Sequence, residues 1–219
     1  MDLSHFEILA RGPWDPASIN VRWSASLFEP DAEVQAQADL ELERLRQRGS
    51  PAHDGTVARV CSYRAAEAGL ELSLQPVRWA LRLLGDQAAA SSLSAHCVVR
   101  DADGRWLAGK RASWVASWAG RWSLGAAGAV ELNENPVQTM IRELSEEWSA
   151  EPQRLTVEAL AGRPGGMLML IGQAWLAPGA EVNPDSEHDE FVWLPPRPGD
   201  WPEMGDEPLL AVAGLWTGA

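Results

Sequence analysis

The sequence predicts a layered α/β sandwich, preceded by a smaller α+β region. Segments that alternate between apolar and polar residues, as strands do, are interspersed with segments of helical periodicity, and this order favours sheets covered by helices. The 219 residues, of which 46% are hydrophobic and 22% charged, are enough for a globular chain with a substantial core. The small and polar stretch DQAAASSLSA marks a linker between residues 1–88 and 89–219.

The first region, residues 1–88, combines helices and strands. EPDAEVQAQADLELERLRQRG predicts a helix that begins at Pro30 and Asp31, repeats apolar residues at helical spacing and stops at Gly49. We expect strands in GTVARVCSY and LELSLQ, and a short helix in VRWALRLLGD. Three roles are open for this region: a lid over a site, the dimerisation arm of a homodimer, or a substrate-recognition part.

Residues 89–219 carry a longer succession of strands. AHCVVRDADGRWLAGKR predicts a hairpin that turns at Asp-Ala-Asp-Gly, and RWSLGAAGAVE predicts a strand that enters a glycine-containing loop. LTVEALAGRPGGMLMLIGQAWLA predicts two strands joined by Arg-Pro-Gly-Gly. A further strand in HDEFVWLPP and a closing helix in EPLLAVAGLW complete the order.

Composition excludes several classes of function. The net charge of -13 argues against a nucleic-acid binder, because phosphate backbones require basic patches. The chain contains only two cysteines, which is no disulfide framework and fits a reduced cytoplasm. MDLSHFEILA lacks the basic start of a signal peptide, and no apolar run reaches the ~20 residues of a membrane span. We therefore expect a cytoplasmic protein with no nucleic-acid or membrane partner.

The segment PVQTMIRELSEEW predicts an amphipathic helix with one acidic side. Asn135 suits its N-cap and Pro136 its first turn. At 100° per residue, one side of this helix is apolar and is expected to face a core. That side consists of Val137, Met140, Ile141, Leu144 and Trp148. The i, i+3, i+4 spacing gathers Glu143, Glu146 and Glu147 on the neighbouring side.

Three converging carboxylates beside a glycine-containing loop offer a hard, oxygen-only environment. Such an environment suits Mg²⁺ or Mn²⁺ rather than zinc, and these ions bridge phosphate oxygens and activate water. Arg142 is placed to orient a glutamate through its planar guanidinium. For the helix taken alone, a solvated acidic face is the simpler interpretation, since exposed like charges cost only about 0.2–0.5 kcal/mol per pair.

The complete spacing is more specific than the helix. Gly128 is followed after five residues by Glu134, and after seven more by Arg142-Glu143-Leu144-x-Glu146-Glu147. This is the pattern of the Nudix box, and residues 93 to about 200 resemble the Nudix hydrolase family. The resemblance implies a Nudix-type α/β/α sandwich with a mixed sheet, in which the box forms a loop, a helix and a second loop.

The resemblance also implies a function. Family members use divalent cations and water to cleave a nucleoside diphosphate linked to another moiety, so the partner is a small phosphorylated substrate. Glu143, Glu146 and Glu147 would ligate Mg²⁺ or Mn²⁺, with the carbonyl of Gly128 as a further oxygen ligand. Glu143 is alternatively the general base. Glu134 would support the site, and Arg142 would hold the glutamates.

Residues that flank the box complete the candidate site. In EHDEFVW, either Glu187 or Glu190 is expected near the metals as base or extra ligand, whereas His188 between them is expected on the surface. Lys110 and Arg111 precede the box and either touch phosphate or form structural salt bridges.

Tryptophans form a second candidate group before the box. Trp114 and Trp118, together with Trp122, are candidates for stacking against a nucleobase, because aromatic faces stack readily on planar ligands. Trp122 fits equally well as a core residue of its strand. The 12 tryptophans of the chain are as a group more typical of core and surface filling.

The box departs from the usual pattern at four positions. Ala127 replaces the first glycine of a frequent pair, and Asn133 replaces a glycine before Glu134. Ser149 replaces the closing glycine that normally adopts the left-handed C′ conformation, and Ala150 is smaller than the usual aliphatic residue. These departures leave open a Nudix-type module that binds a nucleotide or sugar nucleotide without cleaving it. A purely structural protein would bind no metal at all.

Overall fold

A computed structural model describes residues 7–88, 90–162, 166–202 and 212–216 of the chain. The strands in these ranges are β1 Glu7–Trp14, β2 Ile19–Trp23, β3 Thr56–Ala66, β4 Gly69–Arg78, β5 Leu93–Arg100, β6 Trp106–Arg111, β7 Trp122–Leu124, β8 Ala126–Ala129, β9 Arg154–Gly162, β10 Leu168–Trp175 and β11 His188–Leu194. The α-helices are α1 Ala32–Gln47 and α2 Pro136–Trp148. Short 3-10 segments cover Pro16–Ser18, Trp79–Ala88 and Pro198–Asp200.

The larger sheet is mixed and has eight strands. Its order is β1-β9-β10-β5-β6-β11, with β7 paired to β6 and β8 paired to β5. Strands β10 and β5 run parallel, while the other pairs of this sheet are antiparallel. The predicted α/β class with a mixed sheet is therefore confirmed.

Side-chain alternation in the central strands explains why this sheet is covered on both faces. In β10, Leu168 and Leu170 pack into the core cluster that contains Leu144 and Trp148 of α2. Met169 and Ile171 point to the other face of the sheet and belong to a second cluster. This cluster also includes residues of the helical turn at 212–216. Strands buried on both faces are apolar at nearly every position, as β10 is, whereas β5 is buried along most of its length but includes the polar residues Ser94 and His96.

A second sheet comes from the N-terminal region. Its order is β2-β4-β3, with β2 parallel to β4 and β3 antiparallel to it. This sheet contacts the first residues of the box, because the amide of Ala58 donates to the carbonyl of Val130 at 2.7 Å. Strand β1 joins the large sheet beside β9, and Trp14, Leu70 and Leu72 share the core cluster of α2.

Several local predictions are confirmed. Helix α1 is capped by Asp31, whose side chain accepts from the amide of Val34 at 3.0 Å, and the chain leaves it through Gly49 at φ 89°. The predicted strands and the hairpin of β5 and β6 are present, and α2 has the predicted bounds. The first part of the proposed closing helix and part of the Arg-Pro-Gly-Gly turn lie outside the described residues; residues 212–216 are helical.

The loop expected around Gly128 is wrong, because this residue lies in strand β8. The short helix predicted in VRWALRLLGD is present as the 3-10 segment Trp79–Ala88, although the first residues of VRWALRLLGD finish β4. DQAAASSLSA, which is predicted to be a linker, contains the buried residues Ala88, Ala90 and Ser92, and β5 begins at Leu93. Small residues indicate close packing as well as linkers, and composition does not distinguish the two.

Within the described ranges, every helix is too short or too polar to cross a bilayer.

Candidate active site

Helix α2 is fixed at both ends by local interactions. The side chain of Asn135 accepts from the amide of Val137 at 2.9 Å, and Gln138 accepts from the amide of Asn135 at 2.9 Å, which completes a capping box. At the other end Ser149 adopts the left-handed conformation, with φ 53° and ψ 35°. The serine therefore occupies the conformation that the missing glycine would have taken.

The apolar side of α2 determines how deep its glutamates lie. Met140, Leu144 and Trp148 are completely buried, and the indole of Trp148 donates to the carbonyl of Gly125 at 3.1 Å. Ile141, which was expected on this side, is 36% exposed. The helix is thus rolled toward its acidic side, which brings that side against the large sheet.

The three glutamates of the box differ widely in exposure. Their side chains are 13% exposed for Glu143, 58% for Glu146 and 4% for Glu147. Burial raises the pKa of Glu143 to about 7, although Arg142 acts against this. Burial also raises the pKa of Glu147 well above its ordinary value. Both carboxylates are therefore costly to keep ionised without a cation beside them.

Arg142 connects the glutamates to the loop before the helix. Its Nε donates to Glu134 at 2.9 Å, while its Nη1 donates to Glu143 at 2.6 Å and to Glu146 at 3.1 Å. Glu134 also accepts from the hydroxyl of Thr139 at 2.7 Å. Burial opposes ionisation of Glu134, but the bonds from Arg142 and Thr139 outweigh it and hold the pKa of Glu134 below its usual range.

Gly128 lies in β8, directly beside the carboxylate of Glu143. A Cβ atom at this position would collide with the carboxyl carbon and both oxygens of Glu143. The strand is held against β5 by pairing of Gly128 with Ala95. A side chain at this position would therefore displace the carboxylate of Glu143 from its place between the sheet and α2.

The oxygen donors beside α2 are of the chemical type that a hard divalent cation prefers. The Oε2 atom of Glu147 is buried and has no hydrogen-bond partner, while its Oε1 accepts from the amide of Ala127 at 3.3 Å. An unpaired buried carboxylate oxygen is costly unless a cation or donor satisfies it. Among the described residues no group of three or more acidic, histidine or cysteine side chains has the arrangement of a metal site. Arg142 bridges Glu143 and Glu146 instead.

A cavity of about 620 Å³ opens beside these residues. One part of its wall is formed by Gly128, Arg142, Glu143, Glu146 and Glu147. A second part comes from the loop after β6, and a third from the N-terminal region. These two parts include Arg111, Trp114, Trp118, His53, Thr56, Trp79 and Arg82. A cavity of this size is typical of sites for small organic ligands.

The acidic residues that follow the box separate in space. Glu187 lines the cavity and accepts from Arg111 Nη2 at 2.8 Å. Glu190 is exposed outside the lining and pairs with Lys110 at 2.8 Å. The expectation that Glu190 lies near the glutamates of α2 is therefore not met, and Lys110 forms a surface salt bridge. Trp122 lies in β7 and packs against a core cluster rather than lining the cavity.

His188 is buried, so its predicted surface position is wrong. Its ring lies 4.4 Å from that of Trp148, and its Nδ1 is 3.3 Å from Asp185. Burial and the neighbouring Arg111 lower the pKa of His188 to about 4. The neutral ring fills the space over Gly109, where a Cβ atom would collide with both His188 and Trp148.

Several residues of the cavity wall were not anticipated from the sequence, among them His53, Trp79, Arg82 and His96. His96 lies in β5, where its Nε2 donates to the carbonyl of Leu124 at 2.6 Å. The spacing of Trp79 and Arg82 within VRWALRLLGD was an available signal, since residues three apart share one side of a 3-10 helix. Nothing in that segment indicated which part of the protein this side would meet.

Comparison with known proteins identifies the class of protein. The NUDIX domain family matches residues 91–203, which is more than half of the chain. The chain belongs to the NUDIX family, a family of pyrophosphohydrolases. A comparison with curated proteins finds no match.

Similar solved structures include three NUDIX proteins. The MutT protein from Methanosarcina mazei Go1 is 22% identical over 47% of this chain and 75% of its own, with a TM-score of 0.39. An Ap4A hydrolase from C. elegans is 20% identical over 47% of this chain and 78% of its own, with a TM-score of 0.38. The NUDIX domain of NrtR from Shewanella oneidensis, complexed with ADP ribose, is 16% identical over 48% of this chain and 72% of its own, with a TM-score of 0.40.

Proposed function

We propose that this protein hydrolyses the pyrophosphate bond of a nucleoside diphosphate linked to another moiety, with Mg²⁺ or Mn²⁺ bound beside α2. The observation that carries the proposal is the buried Oε2 of Glu147, which has no hydrogen-bond partner and only a long contact of 3.7 Å with Arg111, in a cavity that Glu143 and Glu146 also line. A protein gains nothing in stability from burying such an oxygen. A bound cation would satisfy it.

The proposed metal ligands are Glu143, Glu146 and Glu147, with the carbonyl of Gly128 as a further oxygen. A cation held by these residues would offset the charge of phosphate oxygens and would lower the pKa of a water molecule. The contact between Gly128 and Glu143 supports this set, because only a glycine allows the carboxylate to approach β8 so closely. All four donors are oxygens, the preference of Mg²⁺ and Mn²⁺.

Arg142 and Glu134 act as positioning residues in this proposal. The bond between Arg142 Nε and Glu134 anchors the guanidinium at the N-terminal end of α2. From this anchor its Nη1 reaches Glu143 and Glu146. Arg142 thereby holds two like-charged side chains together until a cation takes its place.

Glu187 is the proposed proton acceptor for the attacking water, in preference to Glu190. It lines the cavity, and Arg111 holds its carboxylate at 2.8 Å. Arg111 is also 3.7 Å from Oε2 of Glu147, so it connects the proposed base to the proposed metal ligands. Glu143 remains the alternative base. The exposed Glu190 is assigned to the surface pair with Lys110.

The N-terminal region, residues 1–88, is proposed to recognise the substrate. Its contribution of His53, Trp79 and Arg82 to the cavity wall supports this role over that of a remote dimerisation arm. On the other side of the proposed domain boundary, Trp114 and Trp118 offer aromatic surface for a nucleobase. A binding site between two regions is a common arrangement for small ligands.

The test is a substrate screen with Mg²⁺ and with Mn²⁺. It covers nucleoside triphosphates, ADP-ribose, sugar nucleotides, dinucleoside polyphosphates and NADH. We expect turnover of at least one compound, and we expect Glu146→Gln with Glu147→Gln to abolish both turnover and calorimetric Mg²⁺ binding. Glu33→Gln with Glu151→Gln removes two exposed acidic groups and serves as the matched control.

Turnover that survives the first pair of substitutions contradicts the assignment of the metal ligands. Tight binding of a nucleotide with no product over hours supports the non-catalytic binding module instead.

A further inference from the structure

Arg82 projects from the N-terminal region into the candidate active site. It lies in the 3-10 segment Trp79–Ala88 and lines the same cavity as Glu143. The segment is held by the sheet before it and by Asp54, which accepts from the amide of Ala80 at 2.9 Å. Arg82 is therefore presented to the cavity by a fixed backbone.

The guanidinium of Arg82 has few partners. Its Nη2 donates to the hydroxyl of Ser94 at 3.0 Å and lies 3.5 Å from the sulfur of Met167. A guanidinium has five N–H donors. Among the described residues no carboxylate forms an ion pair with Arg82, whereas Arg111 pairs with Glu187 at 2.8 Å.

The surroundings of Arg82 make this lack of a partner costly. Burial lowers the pKa of Arg82 to about 10, the charge of Glu143 acts in the opposite direction, and the charge of Arg111 lowers it further. The side chain nevertheless stays cationic at neutral pH. A cation in such a position is retained at a cost in folding stability unless an anion pairs with it.

We propose that Arg82 binds a phosphate oxygen of the substrate's diphosphate, so that the N-terminal region supplies a substrate-binding cation to the NUDIX site. This inference rests on the proposed function and specifies how the substrate is held. Guanidinium groups bind phosphate through two parallel hydrogen bonds. The neighbouring Glu143, Glu146 and Glu147 repel a diphosphate in the absence of metal, and Arg82 is the cavity cation that no described carboxylate occupies.

Trp79 also supports the proposed role of Arg82 as a ligand-binding group of the cavity. The Cζ atom of Arg82 lies 5.6 Å from the centroid of the Trp79 ring, and both residues line the cavity. A cation beside an aromatic face keeps its in-plane N–H groups free for a ligand. The hydroxyl of Ser94 fixes one of these groups and leaves the others available.

The experiment compares Arg82→Met with Arg64→Met in the full-length chain. Arg64 is exposed and pairs with Glu71 at 2.8 Å on the surface, so the control removes one arginine far from the cavity lining. Inorganic pyrophosphate is the probe, and its binding is measured by calorimetry in EDTA. We expect Arg82→Met to weaken pyrophosphate binding by about tenfold or more, and Arg64→Met to leave it unchanged.

Thermal unfolding separates a ligand-binding role from a structural one. If Arg82 is a part-buried cation without an ion-pair partner, Arg82→Met raises the melting temperature without ligand and loses the stabilisation by pyrophosphate. If Arg82 mainly supports Ser94, the substitution lowers the melting temperature and leaves pyrophosphate binding intact, which overturns the proposal. Arg82→Gln provides the same measurements should Arg82→Met fail to fold.

Once a substrate is known, Arg82→Met is expected to raise KM by about tenfold with a smaller change in kcat. The same calorimetry in a Glu146→Gln with Glu147→Gln background reduces the repulsion of pyrophosphate by the glutamates. Protein of this background that does not bind pyrophosphate at millimolar concentration overturns the proposal. Because the calorimetry in EDTA needs neither metal nor turnover, its outcome is independent of the assignment of the metal ligands.

Discussion

Replacing Gly128 with alanine tests whether the bare backbone of β8 is what allows the acidic side of α2 to approach the sheet. The added Cβ would lie 2.7 Å from Oε2 of Glu143 and closer still to the other oxygen and the carboxyl carbon. Glu143 has little room to withdraw, because it is 13% exposed and is held by Arg142 at 2.6 Å. Its displacement therefore breaks that bond.

The expected penalty combines overpacking with a lost hydrogen bond. Overpacking of a buried site costs about 1–3 kcal/mol, and for a chain of this size each 1 kcal/mol lowers the melting temperature by roughly 2–4 °C. Gly128→Ala is therefore expected to lower it by about 2–12 °C in EDTA. Calorimetry is expected to show Mg²⁺ binding weakened by about tenfold or more, because a proposed ligand is displaced.

Two further variants isolate the collision. Gly199→Ala is the matched control, since a Cβ at Gly199 meets nothing within 4 Å. In a Glu143→Ala background the colliding carboxylate is gone, so Gly128→Ala should cost much less than in the wild type. Penalties that simply add in the double variant refute the reasoning, because residues in direct contact are expected to couple.

Three other predictions follow from the site and its surroundings. Glu187→Gln should lower kcat by about tenfold or more, as expected for loss of a general base, while Glu190→Gln should leave kcat unchanged. If the two substitutions change kcat of the screened reaction equally, Glu187 is not the base. Ser149→Gly should raise the free energy of unfolding by about 1 kcal/mol, because glycine adopts the left-handed conformation without strain. Ser145→Gly, inside the same helix, should lower it, and denaturant titrations measure both. Burial lowers the pKa of His96 from 6.5 to about 4, so the unfolded chain binds more protons and stability is lost as pH falls from about 6.5 towards 4. In EDTA, the stability of His96→Gln should fall less steeply between these pH values than that of the wild type. An unchanged slope of stability against pH would contradict the role of His96.

The helix of the box could be predicted from the sequence because its determinants are local. Asn135, Pro136 and the apolar periodicity predict its start and its length, and the structure has the same bounds. The left-handed conformation of Ser149 shows that the helix ends as it would with the usual glycine. The bounds of the helix required no knowledge of the remainder of the chain.

The depth of each glutamate could not be predicted in the same way. Periodicity groups Glu143, Glu146 and Glu147 on one side, but it does not say how far the helix is rolled against its neighbours. Packing of Trp148 under β8 and against His188 buries Glu147 and leaves Glu146 exposed. Their different pKa values and the unpaired oxygen of Glu147 follow from this tertiary arrangement.

The separation of Glu187 and Glu190 follows from the start of β11. Glu187 lies in the turn before this strand, where its carboxylate meets Arg111, whereas Glu190 lies within the strand, opposite Lys110. A register shift of β11 on β6 falls between His188 and Glu190. That register depends on the strand partner and cannot be read from EHDEFVW alone.

The sequence by itself determined the family, the metal-binding pattern of the box and the helix that carries it, because these depend on residue spacing along one continuous segment. Only the tertiary structure brought the N-terminal region to the cavity, with Trp79 and Arg82 on its wall. These residues precede Gly128 by more than forty positions, and contacts at such separations arise from sheet pairing and core packing rather than from local preference.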